Sequence, residues 1–232
     1  NGGPHFKFNP AVSFIVNCDS KEEVEGLWQK LSEGGKTLMP LDAYPFSEKY
    51  GWCEDKFGLS WQLILSSPEG GRRPKIMPSM MFVGPNAGRA ENAFKFYISI
   101  FRDSGAGQVV RYSGNEGADK EGTIMYADFH LESQWFAVMD SAFEHQFAFN
   151  EAISFIIDCE SQEEVDHYWN RLSEGGDEKA QQCGWLKDKF GVSWQVVPTI
   201  LNELLSSTDK EKSKRAMNAM LKMKKIEIEK LI

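Results

Sequence analysis

A long internal repeat limits what this chain can fold into more than any other feature. Asn9 to Gly35 matches Asn150 to Gly176 at a constant offset of 141, with 16 of 27 positions identical. After a length difference of eight residues the match resumes at offset 133. There Gly51-Trp52-x-x-Asp55-Lys-Phe-Gly58-x-Ser60-Trp61-Gln62 parallels Gly184-Trp185-x-x-Asp188-Lys-Phe-Gly191-x-Ser193-Trp194-Gln195. Each copy opens with an apolar run of strand length, Asn9 to Val16 in the first. A capping box follows, Ser20-Lys-Glu-Glu23 or Ser161-Gln-Glu-Glu164, in which the hydroxyl accepts from the glutamate amide and the glutamate reaches back. Val24, Leu27, Trp28 and Leu31 then share one helical face, as do Val165, Tyr168, Trp169 and Leu172, and a Gly-Gly pair stops each helix. A strand around Trp52 or Trp185, a turn at Asp-Lys-Phe-Gly and a last strand complete the unit, with a further strand expected before the tryptophan.

Between the copies lies a third unit with the same plan in different letters. Ile76 to Val83 reads as a strand, Gly84 to Gly88 as a loop and Arg89 to Phe101 as a helix. Gln108 to Tyr112, Thr123 to Leu131 and Trp135 to Met139 read as strands. The fold class is therefore α+β, built from repeated β-α-β-β-β modules.

Such modules ending in Gly-Trp-x-x-Asp-Lys-Phe-Gly-x-Ser-Trp-Gln resemble the PhnB-like, 3-demethylubiquinone-9 3-methyltransferase branch of the vicinal oxygen chelate superfamily. That superfamily also holds the glyoxalase, bleomycin-resistance and dioxygenase folds. The resemblance implies paired modules that form an open cup, with helices outside and a ligand cavity within. It divides the chain into a single module at 1–65, a linker at 66–75, a complete two-module domain at 76–205 and a helical tail at 206–232. On this reading 1–65 resembles the second half of a preceding domain, so roughly seventy upstream residues are expected, by the length of the middle module. In metal-dependent members the ligands would fall near Pro78, Ala152 and Gln195, and near Ala11 and Gln62 in the first copy. Proline and alanine carry no donor and a lone amide oxygen is a poor anchor, so no metal is expected. The glycine pairs follow helices or sit in linkers, so nothing in them marks a site for S-adenosylmethionine, and no cofactor is expected.

Candidate cavity-lining residues follow from strand alternation. Gln195 and Gln62 hold the cup position in their copies, and Ser154 and Ala152 share a face with Gln195. A structural hydrogen bond would explain the glutamines equally well. Tyr126, Asp128 and His130 combine a phenol, an acid and an imidazole on one strand face, the set that proton transfer needs, although a solvated face would show the same pattern. Trp185 is a candidate for stacking on a ligand, with packing as its plainer role.

Charge and cysteine content narrow the classes further. There are 26 basic against 34 acidic residues, a net charge of -8, which disfavours nucleic acid as a partner. The tail from Ser206 to Ile232 is locally basic but alternates in sign and reads as a solvated helix. No apolar run approaches the ~18 residues that a membrane span requires. Cys18, Cys53, Cys159 and Cys183 form no C-x-x-C pair and read as reduced cytoplasmic thiols. The expected function is metal-independent binding of a small molecule. The alternatives are an enzyme acting on a small oxygenated or aromatic metabolite and a structural role for the first module. Three modules leave one without a partner, and an unpaired module exposes a sheet edge, so Asn1 to Leu65 is expected to pair with its equivalent in a homodimer, the alternatives being that it packs on Ile76 to Leu205 of its own chain or on an upstream module.

Overall fold

The helices begin where the capping boxes place them. Ser20 Oγ accepts from the Glu23 N–H (3.2 Å) and Glu23 Oε2 from the Asp19 N–H (2.9 Å), opening α1 (Lys21–Ser32). Ser161 and Glu164 make the same two bonds at the start of α3 (Gln162–Ser173). This computed structural model describes residues 5–67, 71–114 and 117–232, and the chain divides into two units, Asn1–Ala148 and Phe149–Ile232.

In the first unit eight strands form one sheet. They are β1 (Val12–Cys18), β2 (Lys36–Tyr44), β3 (Ser47–Glu54), β4 (Ser60–Leu65), β5 (Ile76–Phe82), β6 (Ser104–Arg111), β7 (Ile124–Leu131) and β8 (Gln134–Asp140), in the order β2-β3-β4-β1-β5-β8-β7-β6. The first module thus joins the second through an antiparallel β1–β5 seam, in which Ser13 faces Ser79 and Ile15 faces Met77. Helices α1 and α2 (Ala90–Ile98) cover one face, α1 on a cluster of Val16, Cys18, Val24, Cys53 and Leu63, and α2 chiefly on β7.

The second unit contains β9 (Phe155–Cys159), α3, β10 (Trp185–Lys187) and β11 (Ser193–Pro198), with strand order β10-β11-β9, followed by α4 (Thr199–Leu205) and α5 (Lys210–Met220). The sheet pairing joins the first module to the second within one chain, the alternative to a homodimer, whereas the division implied by the resemblance grouped 76–205 together. Chain geometry supplies the reason. Because β4 runs parallel to β1, the chain leaves β4 where Leu65 pairs with Cys18, and antiparallel β5 starts at that same end, with Ile76 opposite Val16. A short connector therefore reaches the nearest free edge, as sequential elements usually do.

The tail also departs from expectation. Leu201, Leu204, Ala216, Met223, Ile226 and Leu231 form a buried cluster, so only part of 206–232 is a solvated helix. The extra strand expected before Trp185 is missing among the described residues of the shorter connection, whereas β2 flanks β3 in the first copy. The tail covers this edge instead: the Cys183 and Gly184 N–H groups donate to the Met223 and Lys224 carbonyls, each at 2.8 Å.

Candidate functional site

The repeated Asp-Lys-Phe-Gly motif is a structural clamp. Asp188 Oδ1 accepts from the Phe190 (2.8 Å) and Val192 (3.0 Å) N–H groups, and Oδ2 accepts from Trp194 Nε1 (2.9 Å). Asp55 makes the same three bonds to Phe57, Leu59 and Trp61. Gly58 and Gly191 stand at φ +85° and +89°, a conformation that side chains disfavour, which explains the glycine in each turn.

Strand register identifies the helix-free face of the eight-stranded sheet. Gln62 is opposite Ile15, Ser13 is opposite Ser79, Ser79 is opposite Ala137, and Ala137 is opposite Asp128. The middle of this face is therefore floored by small residues, Ser13, Ser79 and Ala137, beside a buried apolar patch of Ile15 and Met77. On one side the Tyr50 hydroxyl donates to Gln62 Oε1 (2.8 Å), and Gln62 Nε2 donates to Ser13 Oγ (2.6 Å). Burial pushes the Tyr50 phenol upward, so this chain of bonds stays neutral. On the other side Arg73 donates to both oxygens of Asp128 (2.9 and 3.0 Å), and its guanidinium lies 4.1 Å from the Trp135 ring centroid. Ser79 is 1% exposed, and its hydroxyl has no hydrogen-bond partner among the described residues.

The structure brings some of the candidates together and separates others. Tyr126 and Asp128 meet, the phenol donating to Asp128 Oδ2 at 3.2 Å, while His130 lies against Trp135 with centroids 5.3 Å apart. Asp128 also accepts from the Gln108 N–H (2.8 Å) and is only 3% exposed, so the face is not simply solvated. Desolvation, followed by the nearby Asp128 charge, raises the Tyr126 phenol. Gln195 and Trp185 lie opposite one another on the three-stranded sheet, and Gln195 Nε2 donates to Oγ of Ser154, the residue before β9 (2.8 Å). This bond repeats the one from Gln62 to Ser13, but Cys183 stands where the first copy has Tyr50. The Ala152 N–H donates to Asn150 Oδ1 (2.9 Å) in the turn before β9.

Pro78 is opposite Phe14, which packs on Trp61 beneath α1, so Pro78 faces the helices and Met77 and Ser79 take the other face. The donor chemistry at the implied metal position remains poor, since a thioether and a hydroxyl replace an imidazole or carboxylate. Arg73, Tyr50, Ser13 and Ser79 are residues that the sequence reading did not select. Arg73 falls in the 66–75 linker, of which 68–70 lie outside the described residues, and only the tertiary fold carries it to Asp128.

A family model described as 3-demethylubiquinone-9 3-methyltransferase matches residues 1–64 and 74–197. The chain belongs to this family. A Bacillus cereus protein described as a PhnB protein and assigned by name to 3-demethylubiquinone-9 3-methyltransferase is 37% identical over 52% of this chain and 96% of its own, with a TM-score of 0.46. Glyoxalase I from Zea mays is 15% identical over 85% of this chain and 71% of its own, with a TM-score of 0.50, a likeness of fold. A search of curated proteins found no match. The chemistry in the family description implies S-adenosylmethionine, and the strand-to-helix turns here do not suit that cofactor. Serine and glutamate side chains fill the starts of α1 and α3, and Asp140 Oδ1 accepts from the Ala90 N–H (3.0 Å) at the start of α2. A buried carboxylate at that helix start excludes a second anion from the same amides.

Proposed function

We propose that this member of the 3-demethylubiquinone-9 3-methyltransferase family binds a small oxygenated molecule without a metal, on the helix-free face of the eight-stranded sheet. The observation that carries the reading is the buried, unpartnered Ser79 hydroxyl beside the Tyr50–Gln62–Ser13 chain. Leaving such a group unpaired costs about 1–3 kcal/mol, and a ligand carbonyl or hydroxyl would relieve that cost. Ile15 and Met77 supply apolar contact for a ring or short chain. The family likeness to glyoxalase and bleomycin-resistance folds supports a role in binding or sequestration. Cys18 and Cys53 are free, and burial pushes their thiols up to about 11, which suits unreactive thiols in a reducing cytoplasm.

Thermal-shift screening with 2-oxo acids and hydroxylated aromatics, each with and without chelator, tests this. A compound should raise the melting temperature equally in both conditions, because a ligand specific for the folded form stabilises it. Ser79→Ala should leave the free protein at least as stable as before and reduce that shift. A shift that requires zinc, nickel, manganese or iron, or one unchanged by Ser79→Ala, would refute the assignment.

A further inference from the structure

Each of the three modules carries a serine at one equivalent position: Ser13 on β1, Ser79 on β5 and Ser154 just before β9. In two of them a glutamine on the module's last strand donates to that serine, Gln62 Nε2 to Ser13 Oγ (2.6 Å) and Gln195 Nε2 to Ser154 Oγ (2.8 Å). Strand register shows which residue holds the glutamine's place in the middle module. Gln62 is opposite Ile15, two residues after Ser13, and Gln195 is opposite Ile156, two residues after Ser154. Two residues after Ser79 comes Met81, and Met139 of β8 is opposite it in the same parallel arrangement. The neighbouring strands keep the correspondence, since Glu54 opposite Ser60 in the first module matches Asp128 opposite Ala137 in the middle one. A thioether has no N–H to give, and the Ser79 hydroxyl has no partner among the described residues.

We infer that Met139 sets the ligand class of this face, and that the ligand is a primary carboxamide whose N–H donates to Ser79 Oγ where Gln62 and Gln195 donate in the other modules. This rests on the small-molecule reading above and narrows it. The chain itself supplies the chemistry, because it twice satisfies the equivalent serine with the same planar O=C–NH₂ group. Met139 is half-buried, and its unbranched, flexible side chain can turn aside for a ligand. Ser13 completes the recognition. Its oxygen accepts from Gln62, which leaves its own proton for the carboxamide oxygen, and it stands directly opposite Ser79 on the antiparallel strand, about 5 Å away at Cα. An amide group presents an acceptor and two donors on one plane, which suits two neighbouring hydroxyls. A carboxylate presents acceptors alone and adds a charge beside the buried Ile15 and Met77, and a ketone presents no donor.

Thermal shift and calorimetric titration of the full chain with benzamide, benzoate and acetophenone test this. Benzamide should raise the melting temperature and bind at least about tenfold more tightly than either analogue, because both lack the N–H. Met139→Gln should supply the missing group from the chain itself, raising the melting temperature of the ligand-free protein by about 2 °C or more and abolishing the benzamide shift. Met139→Leu keeps an apolar side chain without an amide and should bind benzamide within about twofold of the unaltered protein. Benzoate or acetophenone binding as tightly as benzamide overturns the assignment, as does a benzamide shift that survives Met139→Gln. If Met139→Gln does not fold, Ser79→Ala decides in its place, since a benzamide shift that survives that change is equally fatal. A 2-oxo acid or hydroxylated aromatic that binds through Ser79 where benzamide does not would refute the carboxamide and leave the small-molecule reading standing. No binding by any of these compounds refutes both.

Discussion

Replacing Asp188 with alanine tests whether the repeated motif is an architectural clamp. The carboxylate is 2% exposed and accepts three hydrogen bonds, from the Phe190 and Val192 N–H groups and the Trp194 indole. Hydrogen bonds to a charged acceptor contribute about 1.5–3 kcal/mol each, which sets an upper limit near 9 kcal/mol for the three. The variant no longer has to desolvate a charge, and local relaxation lets water reach some of the donors, so the net loss should be about 3–5 kcal/mol. The chain carries its own control in Asp55, which makes the same bonds in a half-exposed setting. Water can replace the lost acceptor there, and Asp55→Ala should cost only about 1–2 kcal/mol. Guanidinium denaturation followed by tryptophan fluorescence measures both, because Trp194 and Trp61 report on their own clamps. A loss below about 1 kcal/mol for Asp188→Ala, or a larger loss for Asp55→Ala, would show that burial does not set the strength of the clamp.

Trp169 is 6% exposed beneath α3, so Trp169→Ala should cost about 3–5 kcal/mol, and Trp28→Ala, at a half-buried site, should cost less in the same denaturation assay. Arg73→Ala leaves the buried Asp128 without its cation, and thermal denaturation should show about 2–4 kcal/mol of destabilisation, with part of it recovered when Asp128→Asn is added. The Glu91 carboxyl is held at about 2 by hydrogen bonds from Arg111 and then Lys95, below its ordinary value of 4.5. Its stabilising contribution is therefore complete above pH 4.5 and is lost as pH falls from 4.5 towards 2, and Glu91→Gln should flatten the stability profile in that window.

The local structure was legible because local chemistry decides it. The capping serines, the apolar helix stripes and the Asp-Lys-Phe-Gly turns act within a few residues of themselves, so the repeated letters produced repeated hydrogen bonds at Ser20 and Ser161 and at Asp55 and Asp188. The Gln62 and Gln195 positions were also legible, and both glutamines donate to the matching serine. The plainer reading of them, a structural hydrogen bond, is thus part of what they do. Tertiary structure decided how the modules pair, because strand edges join through backbone groups that every residue carries. Ile15 and Ile156 both follow a Ser-Phe pair in sequence, and β5 lies beside the buried one while the other is exposed. Tertiary structure likewise brought Arg73 from a connector onto Asp128 and laid Met223 and Lys224 along the edge that β2 covers in the first copy. These contacts span dozens of residues and depend on where chain ends and free edges meet in space, which periodicity and motif spacing do not encode.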